Sequence, residues 1–210
     1  MLKRIAQFFS YILHPVFVPF IICLVMMLVC PTLFAKVDAK IVGLWKIQIG
    51  LNTIMYPLLI TFLLWRLGFA KDMYMRTNQE RLAPLLGSIL FYFWNYYVFQ
   101  KDQNDAPMLM KSFLLGTFLS VSILFLTTIF TKMSMHTTAI AGACTGLLLM
   151  GWQSPCHIYN PFWISLVLLA IVVWSRLYLK EHTVAEIVSG ILIGLMGQMG
   201  AWYFYTSLQG

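Results

Sequence analysis

Runs of about twenty apolar residues recur along the chain, and its charges are confined to the short gaps between them. Such runs are the length that crosses a bilayer as a helix, where every backbone N–H and C=O must be satisfied without water. A membrane barrel would instead need alternating segments of about ten residues, and none occurs. Composition agrees, since 60% of the 210 residues are hydrophobic and 10% charged, against about 25% charged in a soluble domain. The chain lacks the polar surface to cover itself in water. The expectation is an all-α, polytopic membrane helix bundle of six or seven transmembrane helices, forming one domain over 1–210.

Residues 1–10 mix Lys3, Arg4 and Gln7 with Ile5, Phe8 and Phe9, as an interfacial helix does. Candidate spans follow at about 12–35, 43–65, 83–99, 108–130, 137–152, 162–174 and 187–205. The apolar run after Lys3 and Arg4 is too long for the core of a cleavable signal. Cys23, Cys30, Cys144 and Cys156 show no metal-ligand spacing and lie in or beside apolar segments, so they read as small packing residues. The net charge of +7 is spread over short loops. No cluster could track a nucleic-acid backbone, so no nucleic acid is expected. Membrane lipids with anionic headgroups, or a phosphate ligand, are the partners this charge suits.

Loop parity gives the pattern a use. The loops at 66–82, 132–136 and 175–186 are each separated by two crossings and emerge on one face. Arg76, Arg81, Lys132, Ser134, His136, Arg176 and His182 can meet there. Gly142 and Gly146 follow His136, while Gly190 and Gly194 follow His182. Small residues four apart let helix backbones approach closely. Packing of these two helices would make the histidines at their starts neighbours.

Each polar residue has a plain reading and a chemical one. His182 and Glu186 are four apart and share a helix face, so the carboxylate can hold one ring nitrogen and free the other for attack. Thr183 and Glu186 also form a capping box, which would merely satisfy backbone donors. Arg176 is either an interfacial snorkelling side chain or a fork of donors for phosphate oxygens. His136 sits at a helix start, where an anion is favoured, or is an ordinary neighbour of the cap.

Ser175-Arg176, five residues, His182, three residues and Glu186 resemble the third signature, S-R-x5-H-x3-D, of the type 2 phosphatidic acid phosphatase superfamily. Ser134-Met135-His136 resembles the second, P-S-G-H, with Met133 for proline and Met135 for glycine. The first, K-x6-R-P, is degenerate: Arg76 precedes Ala83-Pro84 at the family spacing, with alanine where arginine belongs and Arg81 nearby. The resemblance implies that His182 attacks phosphorus and becomes a phosphohistidine, that Glu186 orients it, and that His136 protonates the leaving oxygen. It implies that Arg176, Ser175, Ser134, Lys132, Arg81 and Arg76 hold the phosphoryl oxygens, with no metal and no other cofactor.

The expected activity is hydrolysis of a lipid phosphomonoester or pyrophosphate at an inner or plasma membrane. The alternative is a non-catalytic relative that binds lipid phosphate, or is transporter-like, and has lost turnover. Lys and Arg number nine on the expected active face and five opposite, which favours the cytoplasm. Four of the nine, Arg76, Arg81, Lys132 and Arg176, are candidate phosphate ligands, and without them the tally is even. The resemblance implies the extracytoplasmic face.

Overall fold

The computed structural model describes residues 1–69, 77–101, 105–154, 156 and 158–207. All regular structure among them is helical. Helix α1 (Leu2–Ile12) is amphipathic and short. It is followed by α2 (Val18–Val29), α3 (Ala39–Gly50), α4 (Tyr56–Arg66), α5 (Asn78–Lys101), α6 (Met108–Phe130), α7 (Met135–Gln153), α8 (Tyr159–Tyr178) and α9 (Val184–Ser207). Leu51–Met55 joins α3 to α4 as one π-helical turn, so 39–66 is continuous. Among the described residues, that helix, α5, α6, α8 and α9 are the five long and apolar enough to cross a membrane.

The expected segments survive with shifted ends. The greatest change is in 12–35, which breaks at His14–Phe17 and leaves α2 only 12 residues long, with a 3₁₀ turn at Pro31–Phe34. Arg176 and Ser175, expected in a loop, occupy the last turn of α8. The starts of the site-bearing helices are set by side-chain caps. Thr77 and Glu80 exchange bonds of 3.2 and 3.3 Å at the start of α5, and Ser134 Oγ accepts from Thr137 N before α7.

α9 lies between α6 and α7, and all three approach closely through glycine. A Cβ on Gly194 would collide with the Thr138 carbonyl and the Gly142 nitrogen, and one on Gly197 would strike Ser120 of α6. The expected meeting of α7 and α9 is therefore found, with Gly142 and Gly194 in contact. Gly146 faces Phe113 of α6 instead. Thr137 Oγ donates to Ile187 O across the α7–α9 seam.

At the far end from these helix starts, Trp45, Ile49, Phe99 and Met26 are buried together in the core. The reading of all four cysteines as packing residues is corrected there. Cys30 and Cys156 form a disulfide with Cα atoms 5.4 Å apart, joining the end of α2 to the α7–α8 connection. Two isolated cysteines far apart in sequence gave no spacing signal; only the return of α2 and α7 to one end brings them together. Cys23 and Cys144 remain free and buried.

Candidate active site

The starts of α5, α7 and α9 and the end of α8 converge on a cavity of about 950 Å³, large for a ligand pocket of about 300–1,000 Å³. Arg81, Lys132, His136, Arg176 and His182 all line it. Thr117 and Ser120 of α6 and Gln198 of α9 line its inner part, where Gln198 donates to Phe113 O.

The turn between α8 and α9 builds the centre of the site. Lys180 adopts a left-handed conformation with φ 55°. Lys180 N donates to Leu177 O and Glu181 N to Arg176 O, the paired bonds that close a helix with a reversed residue. The reversal swings Glu181 back so that its Oε2 accepts from Arg176 Nη1 at 2.6 Å. Lys132 Nζ donates to the Glu181 carbonyl at 2.8 Å, which ties the α6–α7 connection to the same turn. The five residues between Arg176 and His182 are thus a helix stop and an ion pair. The sequence reading overlooked Glu181, whose signal was its place five residues after Arg176.

His182 is 8% exposed. Its Nδ1 stands 2.7 Å from Glu186 Oε2. A carboxylate accepts, so Nδ1 carries the proton and Nε2 keeps its lone pair. The same Oε2 accepts from Thr183 N at 3.4 Å while Thr183 Oγ accepts from Glu186 N at 3.3 Å. Both expected roles of Glu186 coexist. Burial lowers the pKa of His182, outweighing the opposing effect of Glu186, and the charges of Lys132 and Arg81 lower it further. The ring is accordingly neutral at physiological pH.

Arg176 is 4% exposed, and its Nε and Nη2 are buried without a hydrogen-bond partner among the described residues. Leaving such donors unmade costs about 1–3 kcal/mol each, and more for a charged group. A bound anion in the cavity would satisfy both, in the forked geometry that arginine offers a phosphate.

Not every expected ligand reaches the cavity. Ser134 is fully buried, its Oγ spent on the α7 cap. Ser175 is 1% exposed, with its Oγ donating to Ala6 O at 2.9 Å and lying 3.0 Å from Ser10 Oγ. Neither lines the cavity, so both are corrected from phosphate ligands to framework residues that hold neighbouring groups in place. Arg76 lies outside the described residues.

His136 Nε2 lies 3.1 Å from Ser10 O. A carbonyl can only accept, so Nε2 donates and Nδ1 is the ring position left for other chemistry. His14, absent from the sequence reading, also lines the cavity, with its ring centroid 5.7 Å from that of His136. The available signal was its position before Pro15, where the apolar run breaks between α1 and α2.

No family model, no curated protein and no solved structure matches the chain.

Proposed function

We propose that the chain is a metal-independent membrane phosphatase that hydrolyses a lipid phosphomonoester or pyrophosphate through a phosphohistidine at His182. The observation that carries this reading is one cavity lined by His182, whose ring Glu186 orients, and by Arg176, two of whose donors have no partner among the described residues. His182 Nε2 attacks phosphorus, while Arg176, Lys132 and Arg81 neutralise the phosphoryl oxygens. His136 delivers a proton to the leaving oxygen from Nδ1, in its protonated form. Water then displaces phosphate from His182.

Seven crossings are supported by adding α7 and the α2–Phe34 stretch to the five long helices. At about 1.5 Å per α-helical and 2.0 Å per 3₁₀ residue, α2 and its 3₁₀ turn reach about 26 Å. A site at the membrane surface beside such a bundle suits a lipid headgroup. Sidedness is supported by the disulfide, which lies at the end opposite the cavity. Disulfides persist in oxidising compartments, and the tally of Lys and Arg, which is even without the candidate phosphate ligands, does not oppose this. The disulfide favours a cavity open to the cytoplasm, against the extracytoplasmic placement that the family resemblance implies.

Met135 lines the cavity where the family motif has glycine, and that favours a second reading in which lipid phosphate binds without turnover. Phosphate release from a panel of lipid phosphates by purified protein and by His182→Ala separates the two. Release by wild type alone supports the enzyme, and equal rates remove it.

A further inference from the structure

The proposed chemistry leaves one histidine of the cavity without a task. His14 belongs to neither the Arg176–Glu181–Lys132 grouping nor the His182–Glu186 pair. Its Nδ1 accepts from its own chain's Val16 N–H at 3.4 Å. An acceptor nitrogen carries no proton in the neutral ring, so the proton sits on Nε2. Burial, and then the charge of Arg176, lower the pKa of His14 and keep it neutral. Among the described residues no protein acceptor meets Nε2–H, although the ring lines the cavity beside His136. A donor fixed in tautomer and lacking a protein acceptor is placed for an acceptor on the substrate.

The two histidine groupings indicate which acceptor. Lys132 is anchored to the turn that carries His182, and the charges of Lys132 and Arg81 act on that ring, while the charge of Arg176 acts on His14. His14 and His136 stand together as the other grouping, His14 on the α1–α2 connection and His136 held to α1 through the Ser10 carbonyl. In-line displacement at phosphorus puts the leaving oxygen opposite the nucleophile.

We propose that His14 is a third catalytic histidine, whose Nε2–H donates a hydrogen bond to the leaving-group oxygen of a lipid phosphate while His136 supplies the proton. This inference rests on the phosphatase reading of the same cavity. As the bond from His182 Nε2 to phosphorus forms, the bond to the leaving oxygen breaks and its electron pair stays on that oxygen. The oxygen takes a proton from protonated His136 Nδ1, which ends neutral. His14 keeps its own proton throughout and stabilises the charge that develops before the transfer is complete.

The test uses two esters and three variants of purified full-length protein in lipid nanodiscs. One ester is dioleoyl phosphatidic acid, whose departing alkoxide needs help. The other is p-nitrophenyl phosphate, whose phenolate leaves unaided. His14→Ala is expected to lower kcat on phosphatidic acid about 10²-fold, as loss of one such donor does, and to change the aryl ester less than about fivefold. His14→Gln places an amide donor where Nε2–H was and should recover about tenfold of the loss. His14→Asn keeps an acceptor for Val16 N–H without that donor and should recover none.

Rescue by asparagine but not glutamine would make His14 a hinge residue and overturn the inference, as would equal losses on both esters or an unchanged His14→Ala. Each of those results leaves the phosphatase reading standing. A wild type inert on both esters would remove that reading and this inference together.

Discussion

Glu186 Oε2 lies 2.7 Å from His182 Nδ1 and 3.4 Å from the backbone nitrogen of Thr183. One carboxylate oxygen therefore orients the histidine and closes the cap of α9. The two roles are separable by mutation.

Glu186→Gln should lower phosphate release by about 10²–10⁴-fold, since an amide can present its donor to Nδ1 and invert the tautomer. Thr183→Ala removes only the cap and should cost about 1 kcal/mol of stability with less than about a threefold change in rate. Steady-state rates paired with thermal unfolding in detergent check both.

The acid limb of activity follows from the lowered pKa of His182. The nucleophile works unprotonated and His136 protonated, so kcat/KM should be bell-shaped, rising with pH through a His182 midpoint below the usual 6.5 of histidine and falling again as His136 loses its proton. Lys132→Met removes a neighbouring positive charge, favours the protonated ring and should move that midpoint upward. Glu186→Gln removes the partner that holds the proton and should move it downward. A pH profile on a short-chain lipid phosphate reads the sign of each shift.

Lys180 holds a left-handed backbone, φ 55°, at the stop of α8. Glycine takes that conformation without steric cost. Lys180→Gly should raise stability by about 1 kcal/mol and leave phosphate release unchanged, because the Lys180 side chain is exposed and away from the cavity. Chemical denaturation of the two proteins measures the gain.

Periodicity and loop parity were enough to read the helical bundle and the end of it where His136, Arg176 and His182 line one cavity. The approach of α7 to α9 was legible in Gly142 and Gly194, because close packing demands the absence of a side chain. The spacing of His182 and Glu186 likewise carried both the cap and the orienting pair. What the sequence hid was tertiary. Ser134 and Ser175 fit a phosphate motif by spacing, but a hydroxyl that finds a backbone partner is consumed by it, and each found one. His14 is far in sequence from the other site residues, and only the break between α1 and α2 returns it to the cavity. Cys30 and Cys156 pair for the same topological reason.

Sidedness can be read on whole cells. Phe69 is 75% exposed after α4, at the cavity end of the bundle. In a chain with its four native cysteines replaced, Phe69→Cys should resist a membrane-impermeant maleimide in intact cells and label fully after lysis. Labelling of intact cells would place the cavity outside the cytoplasm.

The central claim is that His182 carries the phosphoryl group. Purified protein mixed with ³²P-labelled phosphatidic acid and quenched in alkali within milliseconds should retain label as phosphohistidine, stable to base and lost in acid. The label should map to the peptide containing His182 and be absent from His182→Ala. Phosphate release by wild type with no trapped label, or the same label on His182→Ala, would contradict the account.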